Sequence, residues 1–172
     1  RIYAGDLLGN LWIFDVSRSS TDNWAVAGSG EPLFQAGASQ PITIKPEIAK
    51  HPSTNDISGN NEDNNEPNVL VFFGTGQYLT DADETTTTTQ AFYGVWDRGD
   101  LGRTRGNLQQ QMLEEGFNDE VLTDNPVDWT TQYGWYLNLP DEGERVVVDA
   151  TLRGGVVFFN SLVPGAIASG CS

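Results

Sequence analysis

Cysteine and histidine are almost absent from this chain. Its 172 residues include one cysteine, Cys171, and one histidine, His51. A zinc site needs several sulfur or imidazole ligands, so zinc binding has no support. Cys171 is either a free thiol or one half of a disulfide, and the sequence leaves both open. His51 precedes Pro52 at the edge of a polar segment, where we expect it to be exposed at the surface.

Basic residues are also scarce. The chain has 9 Lys and Arg against 24 Asp and Glu, which gives a net charge of −15. Such a surface repels nucleic acid and anionic lipid. No apolar run approaches the roughly 20 residues that span a bilayer. We therefore expect no nucleic-acid partner and no membrane insertion, and we interpret the charge mainly as a source of solubility.

A start methionine and a leader segment are missing as well. The chain opens with RIYAGDLLGNLWIFDV, in which two apolar runs, 2–4 and 11–14, flank a turn that contains Gly9-Asn10. That pattern is typical of a β-hairpin. Because a hairpin begins at residue 1, we expect the chain to be a piece of something longer, from which a leader could have been lost.

Short strand-like runs recur along the whole chain. After the hairpin, strands are predicted at 24–27, 32–36, 41–46, 69–73 and 91–97, followed by a closing hairpin of 144–149 and 156–159. Val69–Phe73 shows no alternation of apolar and polar residues, which indicates burial on both faces. One short helix is predicted at 105–116. The chain is therefore predicted to be all-β, as a sandwich, a barrel or a propeller.

Two polar segments, 53–68 and 81–90, predict long exposed loops. Both contain the oxygen ligands that calcium prefers: Asn61–Glu66 in the first, and Asp81 and Asp83 in the second. An EF-hand loop also needs a glycine at its sixth position, and neither segment has it. Asp81 and Asp83 keep the alternate spacing of two ligands and are the metal candidates, while a solvated polar loop is the simpler interpretation.

Motifs for catalysis are few. A Ser-His-Asp triad that includes His51 stays open, because its members need not be neighbours in sequence. The nucleophile motif G-x-S-x-G is missing. Gly74-Thr75-Gly76 lacks the further glycine of a dinucleotide loop and is not followed by a convincing helix, so it predicts a turn at the end of a strand. No catalytic residue is assigned.

The tryptophans allow two interpretations. Aromatic side chains at strand positions usually fill a core. This favours core positions for Trp12, Trp96 and Trp135, and more exposed positions for Trp24 and Trp129, which adjoin polar turn residues. The alternative is a ligand surface formed by the same residues together with Tyr136.

Six ordered segments carry a resemblance to a known family. They are YAGDLLGNLWIFDV (3–16), QPITIKPEI (40–48), VFFGTGQYL (71–79), QAFYGVWD (90–97), GWYLNLPDEGERVV (134–147) and VVFFNSLVP (156–164), followed by Cys171. In content and order they resemble the C-terminal β-propeller of the type IV pilus proteins called PilY1, which are related to the neisserial PilC adhesins. The resemblance runs through nearly the whole chain.

The resemblance implies a modified seven-bladed, quinoprotein-like propeller. Residues 1–172 would supply roughly two to four of its blades, truncated at both ends, at about 40–50 residues per blade. It also implies a non-enzymatic pilus biogenesis factor and adhesin that supports pilus assembly, retraction control and surface attachment. Such a protein is secreted to the pilus tip, the outer surface or the periplasm of a Gram-negative bacterium.

Partners and cofactors follow from the same resemblance. The expected partners are pilus components such as minor pilins, the remaining blades of the propeller, and a host or surface receptor. The family's calcium loop would lie upstream of Arg1, so no cofactor is expected in this segment and calcium is expected only in the full-length protein. Two alternatives stay open: a fragment of a quinoprotein dehydrogenase, since fold does not fix function, and an extracellular binding propeller unrelated to pili.

Overall fold

The computed structural model describes residues 1–52, 67–115 and 120–165, and its regular structure there is almost entirely β. The strands are β1 Ile2–Gly5, β2 Asn10–Asp15, β3 Ala25–Val26, β4 Phe34–Gln35, β5 Glu47–Lys50, β6 Val69–Gly74, β7 Ala91–Asp97, β8 Arg103–Thr104, β9 Gln109–Gln111, β10 Leu113–Glu115, β11 Glu120–Leu122, β12 Gly134–Asn138, β13 Thr151–Arg153 and β14 Val156–Phe158. Four 3-10 turns, Thr21–Asn23, Gly28–Gly30, Asp81–Thr85 and Arg105–Asn107, are the helical elements of the described residues. The predicted all-β class is confirmed.

The strands form two larger sheets and two separate hairpins. In the first sheet the order is β1-β2-β4-β8, with β3 also paired to β2. The central sheet has the order β5-β6-β7-β12-β9, in which β5 to β12 are antiparallel neighbours and β9 runs parallel to β12. Strands β10 and β11 form one hairpin, and β13 and β14 the other. An antiparallel meander of four strands is the unit from which propeller blades are built.

The first hairpin forms as its sequence predicts. Strands β1 and β2 pair from Ile2↔Phe14 to Gly5↔Leu11. Asp6 closes the turn, because its carboxylate accepts hydrogen bonds from Leu8 N at 2.8 Å, Asn10 N at 2.9 Å and Trp12 Nε1 at 2.8 Å. The hairpin is therefore held by one carboxylate as well as by its strand pairing.

The middle strands of the central sheet, β6 and β7, are buried on both faces. On one face, Phe73 and Tyr93 pack against Phe34 of the first sheet, with ring centroids 6.0 and 5.1 Å away. On the other face, Phe92 stacks on Phe159 at 4.0 Å, just beyond β14. The apolar run at 69–73 lies in β6 and is buried apart from its first residue, so the predicted inner strand is confirmed. Such burial suits a blade that lies between two neighbouring sheets.

The predicted helix at 105–116 is wrong. Residues Arg105–Asn107 form a 3-10 turn, and β9 and β10 follow it directly. Leu108 is buried, whereas Met112 is 47% exposed. The two residues therefore do not share the buried helical face that their spacing predicts. Pairing of β9 alongside β12, from Trp135↔Gln109 to Leu137↔Gln111, outweighs the helix propensity of this short segment.

Two other predicted strands are irregular. Segment 41–46 buries Ile42 and Ile44 as the alternation indicates, but it pairs only through an isolated bridge between Ile42 and Gly76. Segment 144–149 is not the first strand of the closing hairpin, which is formed by β13 and β14 instead. The reason is long-range: Arg145 forms its own bridge with Leu162, and Val146 N donates to Thr75 O at 3.0 Å.

Candidate functional site

The two metal candidates occupy one 3-10 turn but play different parts. Asp81 is exposed at its start, whereas Asp83 is buried. The Asp83 carboxylate accepts hydrogen bonds from Gln77 Nε2 at 2.6 Å, Leu79 N at 2.9 Å and Thr80 N at 2.8 Å. These bonds lower the pKa of Asp83 to about 2. Its oxygens are thus used to close the turn, which is the role of a capping carboxylate.

Replacing Asp83 with asparagine is expected to lower the melting temperature at pH 7 and to flatten its dependence on pH. Because the folded pKa of about 2 lies below the unfolded value of about 3.9, the ionised carboxylate stabilises the fold above pH 4, and this contribution is lost as the pH falls towards 2. Thermal unfolding of both proteins between pH 2 and 7 measures the difference. The exposed neighbour provides the control, since Asp81→Asn should leave the curve unchanged. Equal curves for wild type and Asp83→Asn would contradict the assignment.

Other metal candidates find no site in the described part of the chain. No group of three or more His, Cys, Asp or Glu side chains lies close enough there to hold a metal ion. The Asn61–Glu66 segment lies outside the described residues, as does Cys171. Calcium binding by the full-length protein stays a prediction.

Among the residues that the structure describes, Arg145 is the most heavily bonded side chain that the sequence did not single out. It is 3% exposed and lines a cavity of about 280 Å³. Its guanidinium donates to four main-chain carbonyl oxygens: Gly143 O at 2.8 Å, Gln77 O at 2.9 Å, Asp83 O at 2.6 Å and Thr86 O at 2.9 Å. Arg145 therefore joins the loop after β6 to the segment before β13, which are about 60 residues apart in sequence.

Two buried glutamines fasten the same region. Gln40 Nε2 donates to Thr89 O at 3.0 Å, and Gln90 Nε2 donates to Ser39 O at 3.0 Å. Gln40 also accepts a hydrogen bond from the hydroxyl of Tyr93. These two bonds connect the turn before Pro41 to the residues just before β7.

The prediction that His51 is exposed is wrong. It is 2% exposed, and its ring stacks on Trp96 with centroids 4.4 Å apart while Trp129 meets it edge-on at 4.4 Å. Its backbone N donates to Asn68 O, which fixes it beside β6. The tryptophan assignments hold for Trp96, which is 3% exposed, and Trp24, which is 49% exposed. Trp129 is half-buried because it packs on His51.

A cluster of charges and rings follows β7. The guanidinium of Arg98 lies 4.8 Å from the ring of Trp96 and 4.3 Å from that of Tyr133, and its Nε donates to Asp100 at 3.0 Å. Burial opposes ionisation of Asp100, but hydrogen bonds from Tyr133 and Arg98 outweigh it and lower the pKa of Asp100. Arg103 completes the cluster, because its guanidinium lies 3.9 Å from the Tyr133 ring and pairs with Asp100 at 3.2 Å. Each cation thus has a ring and a carboxylate as partners.

A second cavity of about 320 Å³ lies beside the β10–β11 hairpin, and we call it the Trp cleft. Its apolar lining residues are Trp129 and Trp135 together with Leu122, Pro126 and Val127, and its polar lining residues are Gln111, Thr123, Asp124 and Asn125. Trp135 is on β12 and faces the core residues Phe72 and Phe92, with ring centroids 6.2 and 6.3 Å away. The cleft is therefore anchored on the central sheet and open beside the hairpin.

Comparisons with known proteins agree with this architecture. A family model described as the PilY1 beta-propeller domain matches residues 1–125. The chain is 34% identical over 212 residues to the type IV pilus biogenesis factor PilY1 of Pseudomonas aeruginosa strain PAO1, covering 94% of this chain and 17% of that protein. It is 31% identical over 184 residues to a PilY1 homolog of Xylella fastidiosa, covering 95% of this chain and 12% of that protein. It thus spans less than a fifth of either relative.

A solved structure gives the same result. The crystal structure of the Pseudomonas aeruginosa PilY1 C-terminal domain matches with a TM-score of 0.76 and 32% identity, covering 95% of this chain and 41% of that chain. The packed, mainly antiparallel sheets together with this match define the chain as part of a β-propeller. The chain belongs to the PilY1 β-propeller family. No helix in the described residues is long and apolar enough to cross a membrane.

Proposed function

We propose that this chain is a structural segment of a type IV pilus biogenesis factor. The observation that carries the proposal is the match to relatives of that name along 94% and 95% of the chain. The buried network supports a scaffold: Arg145, Gln40 and Gln90 fasten distant loops to one another through main-chain carbonyls. Such bonds hold sheets in place and do not present a reaction site.

We further propose that the segment is non-enzymatic. The single histidine of the chain is enclosed between Trp96 and Trp129, so its ring does not reach a substrate from solvent. Asp83 is used as a turn cap, and Asp100 is neutralised by two arginines. These side chains contact other groups of the protein, whereas a general acid or base must lie within hydrogen-bond reach of its substrate.

The finer parts of the proposal concern place and partners. The protein would act at the pilus tip, on the outer surface or in the periplasm, with minor pilins and the remaining blades as partners. Roles in retraction control and in attachment to a host or surface receptor belong to the same proposal. Calcium would be bound elsewhere in the full-length protein.

A complementation experiment tests this proposal. The parent gene is deleted from its host, and surface pili are counted by electron microscopy with and without a plasmid copy. We expect few pili in the deletion strain and normal numbers after complementation. Unchanged pilus numbers in the deletion strain would contradict a biogenesis role.

Two further arms separate the finer roles. If the protein restrains retraction, removing retraction from the deletion strain restores pili; if it is needed for assembly, pili stay absent. Attachment is measured in piliated cells that carry surface variants of the protein. Normal attachment with every such variant would contradict the adhesin role while leaving the biogenesis role intact.

A further inference from the structure

The Trp cleft combines two tryptophans with an unused carboxylate. Asp124 makes no hydrogen bond or ion pair with any residue in the described ranges, although it lines the cleft. The neighbouring polar groups are held by one another: Gln111 Nε2 donates to Asn125 O at 2.7 Å, and Gln111 Oε1 accepts from Thr123 Oγ1 at 2.9 Å and from Asn125 N at 2.9 Å. The other polar side chains of the cleft are therefore held by hydrogen bonds to one another, and the Asp124 carboxylate is available to bind a ligand.

The chain shows elsewhere what this combination binds. Arg98 lies over the rings of Trp96 and Tyr133 and pairs with the carboxylate of Asp100 at 3.0 Å. Rings and a carboxylate are the same two kinds of partner that the Trp cleft supplies. No Lys or Arg of the described residues lies over the ring of Trp129 or Trp135. The cleft thus has the partners of a bound guanidinium but no internal cation.

The net charge of the chain favours binding of a cationic ligand over a neutral or anionic one. The chain carries a net charge of −15, which raises the local concentration of basic groups and their rate of association. A guanidinium is planar, is weakly hydrated and stacks on aromatic faces, so it suits a cleft with indole walls better than an ammonium does.

We propose that the Trp cleft binds an arginine side chain presented by an extended basic segment of a partner protein. The guanidinium stacks on the indoles of Trp129 and Trp135 and pairs with Asp124. The inference does not depend on the pilus role, because it rests on the chemistry of the cleft alone.

A peptide titration tests the proposal on the purified intact protein. The probe is acetyl-Gly-Ser-Arg-Gly-Ser-amide carrying an uncharged dye, and its neutral twin has citrulline in place of arginine. Fluorescence anisotropy should show saturable binding of the arginine peptide, with affinity at least about fivefold higher than for the citrulline peptide, as expected for a charge-assisted contact. Binding should weaken as salt is raised.

Two matched variants locate the contact. Asp124→Asn should weaken binding about five- to tenfold, whereas Asp22→Asn, which removes the same charge from an exposed turn that does not line the cleft, should not change it. Trp135→Phe should weaken binding about threefold, with the melting temperature measured to confirm folding.

Four results would overturn the proposal. One is the absence of saturable binding, as expected if other parts of the protein cover the cleft. A second is equal affinity for the arginine and citrulline peptides. A third is equal loss of affinity in Asp124→Asn and Asp22→Asn, which would indicate attraction to the overall charge alone. The fourth is unchanged affinity in both Asp124→Asn and Trp135→Phe, which would place the contact elsewhere.

Discussion

Replacing Arg145 with alanine is expected to lower the free energy of unfolding by about 4 kcal/mol or more. The change removes a donor from four main-chain carbonyls. Asp83 O keeps the bond from Thr86 Oγ1 at 2.6 Å, so three carbonyls are left unsatisfied, and each buried unsatisfied acceptor costs about 1–3 kcal/mol. At about 2–4 °C per kcal/mol for a domain of this size, the melting temperature should fall by about 8–16 °C. Scanning calorimetry measures the shift.

Two variants distinguish the contribution of the Arg145 hydrogen bonds to the melting temperature from that of its positive charge. Arg153→Ala removes an exposed arginine from β13 and should change the melting temperature little. Arg145→Lys keeps the positive charge but loses the planar fork of donors, so it should retain most of the loss seen with alanine. If lysine restored full stability, the charge and not the set of carbonyl bonds would be what Arg145 contributes.

The second large effect is expected at Gly134, where β12 begins beside β7. Gly134 has a φ of +129°, and an added Cβ would lie 2.0 Å from Gly94 O. Neither the backbone conformation nor the space suits a side chain, so Gly134→Ala should force β12 away from β7. Overpacking and backbone strain together predict a loss of about 3–5 kcal/mol. Denaturant unfolding of wild type and variant gives the difference.

Gly154 provides the control for this prediction. It has a φ of +58°, and nothing lies within 4 Å of a Cβ placed there. Gly154→Ala should therefore lower the free energy of unfolding only by the strain of a left-handed conformation, about 1–2 kcal/mol. Equal losses at the two positions would contradict the idea that close approach of β12 and β7 is what excludes a side chain at Gly134.

Local sequence pattern predicted the elements whose formation depends on near neighbours. The first hairpin needs only its two apolar runs and the turn that Asp6 closes. The unbroken apolar run at 69–73 and the aromatic run at 91–97 predicted β6 and β7, because strands buried on both faces cannot alternate. The family resemblance supplied the propeller class, which pattern alone left open among three architectures.

Features that depend on distant residues could not be predicted in this way. The segment at 105–116 has helix-forming residues, yet β12 pairs with part of it across about 26 residues of chain. His51 looked exposed because its sequence neighbours are polar, but the rings that bury it come from positions 96 and 129. Arg145 stands in a segment quoted for the resemblance, and only the fold shows that carbonyls near residue 80 surround it.

Counting surface pili in strains that carry the stability variants tests the central claim most directly. If this propeller segment contributes to pilus biogenesis as a scaffold, pilus number should fall with thermal stability: lowest for Arg145→Ala and Gly134→Ala, and normal for Arg153→Ala. Measuring the melting temperature of each purified protein alongside supplies the comparison. Normal pilus numbers in an Arg145→Ala strain whose protein has lost the expected stability would contradict the claim.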